Sequence, residues 1–237
     1  MNIALIIAGG VGARMGQDIP KQFLHINDKP VIIYTLDVFQ KHPNIDEIEV
    51  VCLDGWHDVL KAYARQFGIT KLVNVVSGGL NGQDSIRNGI MDIVSRHHND
   101  EDIVCIHDSI RPMVSLDVIS DNLRVCKEKG NATTVVPCNT AMLKSEDAVV
   151  ATSQLSRDMV KMTQTPQSFH LNELVEAHKE ALQKGITASV ASCTMYVELG
   201  RKVFLSNGSE KNIKLTTPDD IDIFKALLLT KRESWMR

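Results

Sequence analysis

The sequence predicts an α/β fold: a mostly parallel, doubly wound sheet with helices on both sides. Two patterns predict it. Five short apolar runs are continuous instead of alternating with polar residues, as strands buried on both faces are. Segments with apolar spacing near 3.6 lie between them. Strand, helix, strand in repetition builds right-handed crossovers onto one sheet.

Ile3–Ile7 is the first strand. No basic stretch precedes it and glycines follow at once, so it reads as a strand and not as a signal peptide. Val31–Phe39 is the first helix, Ile48–Leu53 the second strand, Val59–Phe67 the second helix and Leu72–Val76 the third strand. Ser85–Val94 is a helix with Ile86, Ile90 and Ile93 on one face. Ile103–Ile106 is the fourth strand, and Val118–Cys126 a helix with Val118, Ile119, Leu123 and Cys126 on its apolar side. Thr133–Val136 is the fifth strand.

The pattern breaks after Val136. Residues 138–160 are polar, weakly periodic, and carry Lys144, Glu146, Asp147, Arg157 and Asp158. A stretch of this length without helix signals is uncommon inside a compact domain. It reads as a hairpin that leaves the body, placed to pair with another subunit. Leu171–Leu182 then reads as a helix and Val203–Leu205 as a late strand. Pro218, followed by Asp219 and Asp220, opens a final helix through Leu229, with acidic residues where the N-terminal dipole favours them. There is no internal repeat, low-complexity tract or Gly/Ser linker. Residues 1–237 therefore read as one domain, with 138–160 as its arm.

Bulk properties narrow the function. Hydrophobic residues make up 43% of the 237, enough for a core that needs no disulfide or metal staple. A net charge of −3 gives no electrostatic footprint for nucleic acid, so an anionic substrate must be met by a local basic pocket. No apolar stretch approaches the ~20 residues that span a bilayer. The five cysteines are odd in number and form no CxxC pair; Cys52 and Cys105 fall in strands and read as small buried hydrophobes. The expected setting is the cytoplasm, with neither a membrane nor a nucleic acid as partner.

Four segments carry chemistry. The first is the turn Ala8-Gly9-Gly10-Val11-Gly12-Ala13-Arg14-Met15-Gly16, followed by Pro20-Lys21. Glycines after a strand let backbone N–H groups approach a phosphate, and Arg14 and Lys21 add positive charge. The spacing is not that of a Walker A loop, and Arg14 and Pro20-Lys21 do not belong to a dinucleotide fingerprint. The second is His107-Asp108-Ser109-Ile110-Arg111-Pro112, at the carboxyl end of the fourth strand, where ligands of such sheets bind. Asp108 is placed to hold Mg²⁺, a hard cation commonly bound by one or two carboxylates plus phosphates. Arg111 is open to two roles, anion ligand or internal brace of the loop, with the brace favoured. His107 is open to service as a general base, although a packed histidine is the favoured reading. The third is Gly78-Gly79-Leu80-Asn81-Gly82-Gln83-Asp84-Ser85. Here Ser85 and nearby backbone face a base or ribose, or else Asp84 or Ser85 simply caps the helix. The fourth is Asn212-Ile213-Lys214-Leu215-Thr216-Thr217-Pro218, whose Lys214 either points into a polar cleft or is solvated.

Together AGGVGARMG, PKQF, HDSIRP, QTPQSF and NIKLTTPDD resemble, in order and spacing, the cytidylyltransferases of the 2-C-methyl-D-erythritol 4-phosphate and ribitol 5-phosphate group. The resemblance runs from Ile3 to about Leu229. It implies a Rossmann-like domain of the nucleotide-diphospho-sugar transferase kind, a protruding β-arm, and a homodimer with interlocked arms. It also implies CTP, Mg²⁺ and release of pyrophosphate, with a phosphorylated polyol or sugar as acceptor. Carried over by position, Arg14, Lys21 and Lys214 are the catalytic cations. Ala8, Gly9, Gly10, Gly12, Gly79 and Ser85 bind the nucleotide, and Asp108 associates with the metal. Thr140 falls on the acceptor-side motif. Arg157 matches an arm arginine that reaches the acceptor phosphate in the partner subunit.

Three departures from the family pattern stand out. Thr140-Ala141 replaces an Asp-Thr pair, and Val190-Ala191 replaces a Thr-Asp pair. Both motifs serve the acceptor, so their loss should change which acceptor is taken. Gly82 stands where an arginine is usual. Gly9-Gly10, Ser109 and the run SEKNIKLT lean towards the ribitol-phosphate branch. Two alternatives stay open: a degenerate relative that binds nucleotide or a partner without turnover, and an NAD-dependent enzyme built on the first glycine turn.

Overall fold

A computed structural model describes residues 1–10, 19–96, 99 and 101–230. Its centre is a seven-stranded sheet. β1 (Asn2–Ala8) pairs in parallel with β4 (Glu47–Cys52) on one side and β6 (Ile103–Asp108) on the other, and β5 (Leu72–Ser77) extends the β4 edge. Beyond β6 come β10 (Lys161–His170), β7 (Asn131–Pro137) and β11 (Leu205–Asn207). β10 runs antiparallel to both neighbours, so the sheet is mixed at one strand. Two-residue strands β2 (His25–Ile26) and β3 (Lys29–Pro30) form a small separate hairpin.

Side chains alternate across β1, and each set finds its own helices. Ala4, Ile6 and Ala8 share a core with α1 (Val31–Lys41), α2 (His57–Gln66) and α4 (Leu116–Lys129) through Leu36, Leu60 and Ile119. Ile3 and Leu5 point the other way, onto α3 (Gly82–Arg96), α5 (Leu171–Gln183) and α6 (Ser192–Glu198) through Ile90, Leu174 and Tyr196. Burial on both faces is why these strands read as unbroken apolar runs. Helix ends follow their sequence signals. Ser115 caps α4 at Val118 N, and Gly130, at φ 96°, closes it in the left-handed conformation glycine tolerates best. In α7 (Pro218–Leu229) Thr217 and Asp220 cap each other. Phe224 of that helix joins Ile26, Val31, Ile110 and Leu215 in a third apolar cluster, which docks the segment carrying Lys214.

The expected hairpin is present as β8 (Met142–Ser145) paired with β9 (Ala151–Leu155), and every residue of it is exposed. One expectation needs correction, and two elements were not read from the sequence. The late strand is Leu205–Asn207, not Val203–Leu205: the Asn131 side chain accepts the Phe204 N–H and donates to Lys202 O, and Leu205, Ser206 and Asn207 take up the β7 register. The QTPQSF segment, noted only as a motif, is part of β10, an interior strand of the sheet. Its Pro166 is accommodated where the register with β7 shifts between Thr163 and Gln167. α6 was not anticipated at all. No helix among the described residues is long and apolar enough to cross a membrane, and the five cysteines are buried and unpaired.

Candidate active site

The carboxyl ends of β1 and β6 and the loop after β5 open into one cleft of about 690 Å³. Ala8, Gly9 and Gly10 line it from the end of β1, and Lys21 from a short 3-10 turn at Lys21–Phe23. Gly79 contributes from the loop before α3, Ser85 from the first turn of α3, Asp108 from the last position of β6, and Lys214 from the stretch before α7. Gly12 and Arg14 lie outside the described residues.

The two glycine turns meet back to back. A Cβ on Gly9 would lie 3.4 Å from Gly78 Cα, and one on Gly79 would lie 2.4 Å from Asp84 Cβ, so Gly79 has no room for a side chain. Gly10 is different: it is exposed, and no described residue comes within 4 Å of where a Cβ would sit. Its missing side chain leaves space on the cleft side, where a ligand can approach the backbone. The Ser85 hydroxyl donates to Asn81 O at 2.8 Å and accepts from Gly79 N at 3.0 Å, tying the turn together. The helix-cap role expected of Asp84 or Ser85 belongs instead to Asn81, whose Oδ1 accepts Asp84 N at 3.0 Å. Asp84 pairs with Arg87.

At the end of β6, Asp108 sits between two cations. Lys214 Nζ is 3.1 Å from Oδ1, and Arg111 Nε donates to Oδ2 at 3.0 Å. Burial pushes the Asp108 carboxyl up, but Lys214 and Arg111 together overcome it and hold the group below its ordinary range. Asp108 is therefore an anion at neutral pH. Arg111 also donates to Asn212 O at 2.7 Å, which makes it the brace of the loop.

His107 is fully buried, and burial lowers its pKa to about 4. Asp108 N donates to Thr165 Oγ1 at 3.1 Å, so that hydroxyl can give its own proton to His107 Nδ1 at 3.0 Å. His107 Nε2–H then faces Arg111 O at 3.2 Å. The ring is neutral with both nitrogens engaged, and the general-base role falls away.

Lys214 is held from both sides. Asn212 Nδ2 donates to Thr165 O at 2.8 Å and to Gln164 Oε1 at 3.2 Å, while Leu215 N bonds Ile110 O at 2.9 Å. Sequence reasoning missed Thr165, Gln164 and Asn212 as functional residues, although QTPQSF and NIKLT had drawn notice. It also missed Gln22, which is 1% exposed and donates to Ala8 O at 2.8 Å and to Gly10 O at 3.0 Å. The available signal was its position, beside Lys21 within PKQF.

The acceptor-side pair is not brought into this cleft. Thr140 lines a smaller depression of about 420 Å³ that shares Arg111, Thr163 and Gln164 with the main cleft. Arg157 is exposed at the root of the arm, with Nη1 donating to Asn139 O at 3.4 Å. The departures Val190 and Ala191 do line the main cleft, and Val190 is 93% exposed.

With this geometry in view, the comparisons with known proteins are informative. The family model for 2-C-methyl-D-erythritol 4-phosphate cytidylyltransferase (IspD) matches residues 2–230. A ribitol-5-phosphate cytidylyltransferase of Lacticaseibacillus paracasei is 44% identical over 233 residues, covering 98% of this chain and 99% of that protein. A 2-C-methyl-D-erythritol 4-phosphate cytidylyltransferase of Clostridium botulinum is 37% identical over 229 residues, 96% of this chain and 97% of that one. The fold is also that of the 4-diphosphocytidyl-2C-methyl-D-erythritol synthase structure from Anaerococcus prevotii, with a TM-score of 0.82 at 22% identity over 97% of this chain and 96% of that one.

Proposed function

Because this chain belongs to the 2-C-methyl-D-erythritol 4-phosphate cytidylyltransferase (IspD) family, we propose that it transfers CMP from CTP to the phosphate of a small polyol or sugar, releasing pyrophosphate. The observation that carries the reading is convergence: two glycine turns, Lys21, Asp108 and Lys214 line one cleft at the strand ends. The preferred acceptor is ribitol 5-phosphate. Its support is the relative of 44% identity that bears this activity in its name, together with Thr140-Ala141 and Val190-Ala191 in place of the methylerythritol-type motifs.

The reaction is an in-line displacement. An oxygen of the acceptor phosphate attacks the α-phosphorus of CTP, a new P–O–P bond forms, and the bond to the β-phosphate oxygen breaks. A phosphate is already ionised at neutral pH, so no strong base is required, which agrees with a neutral, fully engaged His107. Positioning and charge stabilisation do the rest. Lys21 and Arg14 grip the triphosphate, and Lys214, steered by Asp108 and the Asn212 anchor, meets the charge that develops near the α-phosphate.

Among the described residues no three His, Cys, Asp or Glu side chains form a metal cluster. One ionised carboxylate at the cleft does suit a magnesium ion that takes its other ligands from phosphates and water. Asp108 would hold it, each carboxylate oxygen keeping one lone pair beyond its cationic neighbour. The ion supplies neutralisation of the triphosphate oxygens.

The arm is proposed to join two subunits and to present Arg157 to the partner's acceptor site. Leu143, Val149, Val150 and Met159 are all more than half exposed in the isolated chain, which supports burial against a second copy. A cytoplasmic setting belongs to the same proposal and suits five unpaired cysteines. The test is pyrophosphate release from CTP and Mg²⁺ with ribitol 5-phosphate or 2-C-methyl-D-erythritol 4-phosphate, on protein whose mass in solution is measured alongside. Turnover with ribitol 5-phosphate by a dimer is expected. Preference for methylerythritol phosphate removes the acceptor assignment, and a monomer removes the role of the arm.

A further inference from the structure

We infer that Gln22 is a positioning residue: its carboxamide sets the spacing between Lys21 and the glycine turn after β1, and so shapes the triphosphate site. The inference rests on the proposed function of that cleft. A primary amide has two N–H hydrogens, and Gln22 directs its Nε2 at two carbonyls of one turn, Ala8 O at 2.8 Å and Gly10 O at 3.0 Å. At 1% exposure the amide has little competition from water, so these bonds are strongly favoured over none.

The two acceptors identify the purpose. Ala8 ends β1 and Gly10 lies two residues on, in the segment that lines the cleft. A trans peptide puts C=O and N–H on opposite sides. Holding Ala8 O towards Gln22 therefore turns the Gly9 N–H away from it. The Gly10 carbonyl is likewise aimed by its bond to Gln22.

On its other side Gln22 is bonded directly to Lys21. The turn that carries both is closed by Phe23 N to Pro20 O at 2.8 Å, and Phe23 stacks on Trp56 at 4.5 Å between ring centroids. Phe23 thus anchors the turn to the core, and Gln22 anchors it to the glycines. The main chain of Lys21 is thus tied to Gly10 through the side chain of the next residue. Misplacement of a reacting or binding group by about 1 Å can cost about 10²-fold in rate, so such a tie has kinetic consequences.

Gln22→Met tests this, since methionine keeps the length and apolar bulk and withdraws both donors. In the CTP-dependent assay kcat/KM for CTP should fall about 10²-fold, with KM for the acceptor unchanged. In thermal shift, CMP should stabilise variant and wild type alike, while the extra stabilisation by CTP over CMP should shrink in the variant. In a Lys21→Ala background the same change should cost much less, because the partner it positions is gone. Should Gln22→Met not fold, Gln22→Glu keeps the shape, leaves at most one of the two donors whatever its protonation state, and serves for the same readouts. Wild-type kinetics in the variant, or equal loss of CMP and CTP binding, overturns the positioning role while leaving the function standing. Wild-type protein that releases no pyrophosphate with any acceptor overturns both.

Discussion

Lys214 has two jobs at once, and this gives the residue scale its sharpest prediction. It faces the cleft and it offsets the Asp108 carboxylate at 3.1 Å. Its side chain is 43% exposed, so the ion pair itself contributes little to stability. Lys214→Ala should therefore lower kcat by about 10²–10³-fold and leave the melting temperature nearly unchanged. Lys21→Ala should lower kcat to a similar degree. Near-normal turnover in either variant, measured by pyrophosphate release, removes that lysine from the triphosphate clamp. Asp108 was legible in the sequence as a charge at a strand end and Lys21 as one following a glycine turn, whereas Lys214 was singled out by the resemblance of its NIKLT motif. Gln22, Thr165 and Asn212 were not legible. Each is a neutral polar residue that works by bonding a backbone group or a neighbour far along the chain, and residue type alone carries no trace of such a partner.

At the scale of elements, β4 and α3 meet through a buried carboxylate with no part in the cleft chemistry. Glu49 of β4 is fully buried and pairs with Arg96 at the end of α3; Asp92 also pairs with Arg96 and is held by Asn74 at 2.8 Å. Burial, reinforced by the Asp92 charge, pushes Glu49 up to about 8 despite Arg96. Its pKa is thus raised above the unfolded value, so its stabilising contribution is present at low pH and is lost as pH rises towards 8. Glu49→Gln keeps the shape and cannot ionise. Its melting temperature relative to wild type should be higher at pH 8 than at pH 5.5 by roughly 3–5 °C. A difference that does not vary with pH would show that Glu49 is ionised in the folded protein throughout. The elements themselves divide by burial chemistry. β1, β4, β6 and β7 were legible because apolar side chains cover both faces. β10 was not, because Gln164, Thr165, Gln167 and Ser168 spend their side chains on hydrogen bonds and Pro166 breaks the ladder. α6, with seven residues, is too short for helical periodicity to register.

For the whole molecule, the doubly wound sheet explains why distant segments meet. Parallel strands deliver their carboxyl ends to one edge, so the turn after β1, the loop after β5 and the end of β6 open on the same crevice. The third apolar cluster then folds the Lys214 segment back onto that edge. The arm leaves from β7 and returns as β10, the strand that pairs with the β6 edge ending at Asp108. The central claim is that this convergence is a triphosphate site. A crystal structure with CTP and Mg²⁺ tests it most directly. The triphosphate should lie along the glycine turn after β1, with Lys21 and Lys214 Nζ each about 3 Å from a phosphate oxygen and Asp108 beside the α-phosphate. Nucleotide bound away from these strand ends, or phosphates contacting neither lysine, would contradict it.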